Sequence, residues 1–237
     1  MPDGLDQALK VISLSVVLPA YNEADNLEAV VAELQAALQA LPVDPEIIIV
    51  DDGSRDGSAA LADRLAVAPG TKVIHHDRNR GYGSALRSGF AAAGHDWVFF
   101  MDSDGQLDPA DLASFLPHLT DHDLVAGFRR RRMDPLHRRL LGRIFTLIAR
   151  LMFGVQSQDV NCAFKLISRG RLGKCRLTVD GALINVELLW ELKKQGVEAL
   201  ELPVTHRPRR GGRQTGGSGR VIMRAAAELI RLRFLKR

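Results

Sequence analysis

Apolar and polar positions alternate in two distinct rhythms along the first 127 residues. Short runs rich in β-branched and aromatic residues at 14–18, 47–50, 72–75, 97–101 and 124–126 have the length of strands buried on both faces of a parallel sheet. Between them lie stretches of helical periodicity. The clearest covers 24–41, where Leu27, Val30, Val31, Leu34, Leu38 and Leu41 recur at i, i+3, i+4 and i+7, with Asn22 as the expected N-cap and Pro42 as the stop. Strand, helix and strand in repeated order predict an α/β fold built by right-handed crossovers. In such a fold the loops at the carboxyl ends of the strands gather along one edge of the sheet, and ligands bind there.

The pattern changes after Gly127. A basic run, Arg129 to Arg132, leads into a predicted helix over 135–153, then a strand over 163–167, a helix over 184–194 and a strand over 199–205. A Gly- and Arg-rich stretch at 207–220 reads as a mobile loop, and 221–235 as a basic amphipathic helix. One domain over residues 1–210 is expected to carry 211–237 as an appended loop and helix. At 237 residues and 46% hydrophobic content the chain is long enough for one full α/β core.

Charge sharpens this picture. The net charge of +4 conceals an acidic first half and an arginine-rich second half, which points to an anionic partner for the latter. Cys162 and Cys175 are too few for a disulfide framework and favour a reducing compartment, so a cytoplasmic location is expected. No apolar stretch reaches the length of a membrane span, and residues 1–10 lack the features of a signal peptide.

Three strands run into polar clusters: Pro19-Ala20-Tyr21-Asn22-Glu23, Asp51-Asp52-Gly53-Ser54 and Asp102-Ser103-Asp104-Gly105-Gln106. Each alone is compatible with an ordinary turn or solvated loop. Their shared position at strand ends is what marks them as site candidates. Asp102 and Asp104, two residues apart at a strand exit, offer hard oxygen ligands suited to Mg²⁺ or Mn²⁺, and Gln106 can add a neutral oxygen.

These clusters, in this order, resemble family 2 inverting glycosyltransferases of the GT-A fold, a Rossmann-like, mainly parallel sheet flanked by helices. More narrowly they resemble the polyprenyl-phosphate sugar synthases, the dolichol-phosphate mannose synthase group. The resemblance covers roughly residues 14–210. It implies that Pro19, Ala20, Tyr21 and Glu23 line a nucleotide pocket, that Asp51 and Asp52 contact base or ribose, and that Arg80, Gly81 and Ser103 belong to the nucleotide-sugar site. It further implies that Asp102, Asp104 and Gln106 hold the metal, and that Arg207 and Arg209, in a closing loop, contact the diphosphate. Arg129, at the end of Leu124-Val125-Ala126-Gly127-Phe128, and Asp159, heading Val160-Asn161-Cys162-Ala163-Phe164-Lys165, correspond to the catalytic acceptor side with Asp104. Arg129, Arg138 and Arg139 would hold an acceptor phosphate. Two positions depart from the family pattern: Ala163 replaces a frequent glycine, and Gly142 stands where relatives often carry serine.

On this resemblance the expected partners are a nucleotide-diphosphate sugar of the GDP-mannose or UDP-glucose type and a polyprenyl phosphate lipid. Leu140, Ile144, Leu147, Ile148 and Leu151 form one face of the 135–153 helix, and Val221, Ile222, Ile230 and Phe234 sit among basic residues. Both helices suit a peripheral membrane surface, and both equally suit packing on the core. Three other readings stay open: a family 2 transferase acting on a soluble or polysaccharide hydroxyl, with Asp159 as general base; an inactive nucleotide-sugar sensor; and a basic nucleic-acid-binding protein. With aromatics at 5% and no stacking pattern, no nucleic acid is expected as partner.

Overall fold

The computed structural model describes residues 11–130, 133, 136–211, 228, 229 and 232, with 136–138 described through their backbone alone. β1 (Ile12–Ala20), α1 (Leu27–Gln39), β2 (Val43–Asp51), α2 (Ser58–Leu65), β3 (Thr71–His75), α3 (Tyr82–Ala92) and β4 (Trp97–Met101) form the first half. Two short 3-10 turns, Pro109–Ser114 and Leu116–His118, lead into β5 (Leu124–Arg129) and α4 (Leu136–Phe153). β6 (Phe164–Ser168), α5 (Arg169–Leu172), α6 (Ile184–Lys194) and β7 (Leu200–Val204) follow.

All seven strands join one sheet in the order β3-β2-β1-β4-β6-β5-β7. β1 pairs in parallel with both β2 and β4, and β5 pairs in parallel with β7. Because β1 has a strand on each side and helices over both faces, Leu14, Val16, Val17 and Leu18 are all fully buried, as the unbroken apolar run predicted. The first two crossovers move from β1 outward to β3, and the third returns past β1 to β4. Right-handed connections therefore put α1 and α2 on one face and α3 on the other, and the topological switch point falls between β1 and β4. Asp102 and the 21–23 cluster leave the sheet there.

β6 runs antiparallel to both β4 and β5, with Met101 opposite Phe164 and Ala126 opposite Lys165. A reversed strand begins at the edge where its parallel neighbours end. Asp159 and the turn after it consequently meet the ends of β4 and β5, although they precede their strand rather than follow it.

Two expectations need correction. Helix α1 begins at Leu27, not at residue 24, and Asn22 is not its cap: Asn22 takes φ 55°, in the left-handed region, which no helix continues. Its carboxamide accepts from Arg55 N–H at 2.8 Å, while the Glu23 and Ala24 N–H groups donate to Ser58 and Asp56, tying this segment to the 54–58 loop instead. β5 also runs past Ala126 to Arg129, because β7 pairs with it as far as Val204. The predicted C-terminal helix over 221–235 lies outside the described residues except Glu228, Leu229 and Leu232; the two leucines are buried in the core. Among the described residues no helix is long and apolar enough to cross a membrane.

Candidate active site

On the side predicted for the nucleotide, the carboxylates expected to touch ligand are engaged with the protein. Asp51 and Asp52 are each 2% exposed. Asp51 accepts from Ser54 N–H at 3.1 Å and pairs with His75 at 3.1 Å. Asp52 pairs with His76 at 2.6 Å and accepts from the N–H groups of Arg80 and Gly81 at 2.9 and 2.8 Å, so it fixes the loop that opens α3. Gly81 has φ 106°, and a Cβ there would meet the Asp180 carbonyl at 2.4 Å, so glycine is required by packing against the 180 turn. The Arg80 side chain is exposed, and its backbone makes the tie to Asp52. Pro19 and Ala20 act through carbonyls: Ser103 Oγ donates to Pro19 at 2.7 Å and Asp52 N–H to Ala20 at 2.9 Å. Tyr21 is half-buried at the end of β1.

At the switch point, Asp102 and Asp104 leave β4. Burial, and next to it the charge of Asp104, raises the Asp102 carboxyl to about 7, against the pull of Tyr82, Arg129 and Lys165. The buried Tyr82 hydroxyl faces Asp102 without a well-formed hydrogen bond and is itself held protonated, chiefly by burial. Two carboxylates that disfavour each other's charge are a donor set that a divalent cation satisfies. Among the described residues no third His, Cys, Asp or Glu joins them, so further oxygens would come from Gln106 or a ligand. Gln106 Nε2 donates to the Arg207 carbonyl at 3.4 Å, and Arg207 N–H donates to the Gln106 carbonyl at 2.7 Å, which pins the 206–207 segment beside the pair.

Arg209, with its side chain 15% exposed, lies over this point. Its guanidinium donates to both Glu23 oxygens at 2.5 and 2.6 Å and to Asp104 at 3.2 Å. Burial raises the Glu23 carboxyl, and Arg209 opposes that shift. Arg207, expected at a diphosphate, is bound instead to Glu33 at 2.9 Å and to Asp108.

The side predicted for the acceptor is built around an ion pair. Arg129 Nε and Nη2 donate to the two Asp159 oxygens at 2.6 and 2.9 Å, a bidentate fork between two nearly buried side chains. Arg129 is also close enough to Asp102 to lower its pKa, so this pair and the β4 carboxylates belong to one site. Lys165, fully buried beneath them, donates to the Val160 and Cys162 carbonyls and to Asn185, holding the turn that carries Asp159; burial lowers its pKa. Sequence reasoning missed Lys165, yet a lysine inside the apolar strand Phe164–Ser168 is a readable signal.

Beside the pair a cavity of about 240 Å³ opens between the end of β5, α4 and residues 158–159. Arg139, named from the sequence, lines it with Arg130, Arg143 and Thr146, which were not named. The side chain of Arg138 lies outside the described residues. Arg150 of α4 donates twice to the Ser157 carbonyl, at 2.9 and 2.6 Å, and so couples the helix to the Asp159 loop. On the other side of α4, Leu140, Leu141, Ile144, Leu147, Ile148 and Leu151 are 37–78% exposed.

Comparison with known proteins places this arrangement. The family model described as glycosyl transferase family 2 matches residues 15–179. Polyprenol monophosphomannose synthase of Mycolicibacterium smegmatis is 31% identical over 229 residues, covering 90% of this chain and 85% of the relative. Undecaprenyl-phosphate 4-deoxy-4-formamido-L-arabinose transferase of Pseudomonas fluorescens is 34% identical over 159 residues. That alignment covers 66% of this chain and 47% of the relative, so the chain spans about half the length of transferases of this second kind. Among solved structures, glucosyl-3-phosphoglycerate synthase from Mycobacterium tuberculosis with UDP superposes with a TM-score of 0.70 at 25% identity, covering 92% of this chain and 79% of that one. Another structure of that enzyme holds Mn²⁺, UDP-glucose and phosphoglyceric acid.

Proposed function

The chain belongs to glycosyltransferase family 2 and has the GT-A fold, and from that premise we propose that it moves a hexose from a nucleoside-diphosphate sugar to the phosphate of a polyprenyl phosphate at a membrane surface. The observation that carries this reading is the pairing of Asp159. Both of its oxygens accept from Arg129, and the pair borders a cavity lined by further arginines. A hydroxyl acceptor needs a base free to take its proton. A phosphate monoester is already ionised at neutral pH and needs cations to guide it instead.

In this reading Asp102 and Asp104, with Gln106, would hold Mg²⁺ or Mn²⁺, which would supply positive charge next to the diphosphate. Glu23 and Arg209 border the diphosphate, and the loops fixed by Asp51 and Asp52 shape the nucleotide pocket. Arg129, oriented by Asp159, meets the acceptor phosphate with Arg138 and Arg139. A phosphate oxygen attacks the anomeric carbon from the face opposite the leaving group. The new carbon–oxygen bond forms as the bond to the diphosphate breaks, the nucleoside diphosphate departs, and configuration inverts. No enzyme nucleophile takes part.

The lipid is favoured over a soluble acceptor by α4, which lines the arginine cavity with one face and exposes six apolar side chains on the other. An apolar face next to cations is what an anionic bilayer surface accommodates. A second reading, a soluble phosphorylated acceptor, is supported by the phosphoglyceric acid in the superposable enzyme. Incubation with GDP-mannose or UDP-glucose, Mn²⁺ and vesicles containing undecaprenyl phosphate, followed by mass spectrometry of the lipid, separates the two. Glycosylated lipid phosphate is expected. Transfer to 3-phosphoglycerate alone would replace the first reading with the second.

A further inference from the structure

The wall of the acceptor cavity contributed by α4 includes Arg143 and Thr146, two polar residues outside the family motifs. Positions 139, 142, 143 and 146 follow i, i+3, i+4, i+7 spacing and all line the cavity, while the exposed apolar residues occupy the helix's other side. Arg129 is balanced by Asp159. Arg130, Arg139 and Arg143 have no carboxylate partner among the described residues, so among those residues the cavity lining carries more positive than negative charge. Gly142 contributes no side chain, and the wall recedes there. Thr146, one turn further, is only 7% exposed, and its hydroxyl has no hydrogen-bond partner among the described residues. A hydroxyl on the wall of a cationic cavity is a donor available to an acceptor oxygen.

We propose that Arg143 and Thr146 together hold the phosphate monoester of the acceptor from the α4 side of the cavity. The two lie three residues apart and are neighbours on the helix surface, so one phosphate can reach both. Arg139 is two turns from Thr146, roughly 10 Å along the axis, so it would approach the phosphate from further along the helix than Arg143 does. A monoester offers three terminal oxygens: two match the guanidinium fork and one takes the hydroxyl proton's hydrogen bond. The phosphate then enters between this pair and the Arg129–Asp159 fork, and its own substituent, lipid or small, leaves through the mouth of the cavity. The assignment rests on the reading of the acceptor as a phosphate.

Calorimetric titration of the full chain with farnesyl phosphate, 3-phosphoglycerate and inorganic phosphate tests it. The wild type is expected to bind farnesyl phosphate. Thr146→Val and Arg143→Met should each weaken that binding about tenfold or more, as loss of a hydrogen bond to a charged group does. Nucleotide binding should be unchanged in both variants, and Thr146→Ser, which keeps the hydroxyl, should bind as the wild type does. Affinities within twofold of wild type in both variants, equal loss in Thr146→Ser and Thr146→Val, or no binding of any phosphate probe to the wild type would overturn the assignment. If 3-phosphoglycerate binds as tightly as farnesyl phosphate and is weakened by the same variants, the phosphate pair stands and the ligand is soluble. Binding without sugar transfer would leave the pair in place and remove the proposed reaction.

Discussion

The two halves of the site are prepared for ligand in opposite ways. On the nucleotide side, the acidic side chains at the ends of β1 and β2 are bound to the protein itself: Asp51 to His75, Asp52 to His76 and the α3 loop, Glu23 to Arg209. On the acceptor side Arg129 has its partner in Asp159, while Arg130, Arg139 and Arg143 line a cavity with no carboxylate partner among the described residues. Internal partners make the first half rigid before any ligand arrives, which suits the precise placement of a reacting diphosphate. A lining rich in arginine makes the second half attract anions, which suits an acceptor captured from a surface. Asp102 and Asp104 stand between the halves, and among the described residues Arg209 is the cation of the predicted loop that pairs with Asp104.

The sharpest break of this contrast is at Asp102. Asp102→Asn should lower sugar transfer by about a thousandfold or more, the scale of removing a centre of transition-state charge stabilisation. The same variant should stabilise the ligand-free, metal-free protein. The Asp102 carboxyl is raised to about 7 in the fold against a usual value near 3.8, so the folded state binds the proton more tightly. Its contribution is therefore favourable at low pH and is lost as pH rises from about 4 through about 7. Thermal melts in EDTA should show Asp102→Asn higher by roughly 4–8 °C at pH 8 and equal to wild type near pH 3. A lower melting temperature at pH 8 would show that the carboxylate is better satisfied than its surroundings indicate.

Next in size is the outer face of α4. A Leu147→Glu, Leu151→Glu double variant should bind anionic vesicles about a hundredfold more weakly, since each leucine buried in the interface contributes about 1.5–3 kcal/mol. Sedimentation with vesicles at low and high salt checks this. Unchanged partitioning would mean that another surface faces the lipid.

Smaller effects are expected at Arg209, whose guanidinium now neutralises Asp104. Arg209→Ala should tighten Mn²⁺ binding in the absence of nucleotide about threefold to tenfold while weakening nucleotide-sugar binding, since ion pairs of this partly buried kind are worth about a kilocalorie or two. Equal Mn²⁺ affinity by electron paramagnetic resonance would separate the arginine from the metal position. The smallest effect belongs to His75. Its pKa is raised by hydrogen bonds to Asp51 and Asp63, so the charged ring stabilises the fold below pH ~6.5 and that gain is lost as pH rises through the raised value. With the side chain 39% exposed, solvent screening keeps the effect of His75→Gln below about 1 kcal/mol in urea melts at pH 5.5, and near zero at pH 9.

The strand ends were legible because an apolar run followed by carboxylates is a local pattern, and six strands run in the direction that alternation with helices implies. The helix at 184–194 and the strand at 97–101 match the structure residue for residue. What the sequence hid was relational. The direction of β6 leaves no trace in its own five residues, yet it decides that Asp159 lies at the same edge of the sheet as Asp102. The start of α1 was misplaced because Asn22 obeys the 54–58 loop rather than the helix beside it. Arg143 and Thr146 share a wall with Arg129 only because α4 returns across the end of β5, a contact between segments that no local periodicity records. The exposed face of α4 was visible as a stripe, but whether a stripe packs inward or outward depends on which side its neighbours occupy.

The central claim is that the attacking group is a phosphate already ionised and steered by arginines. Farnesyl phosphate and farnesol carry the same tail and differ only in that group, so their rates of glycosylation, measured side by side with one donor and Mn²⁺ across pH 6–9, test it directly. Transfer to farnesyl phosphate with inversion at the anomeric carbon, and none to farnesol, is the predicted result. Efficient transfer to farnesol that disappears in Asp159→Asn would contradict it, because Asp159 would then be working as a base rather than holding Arg129.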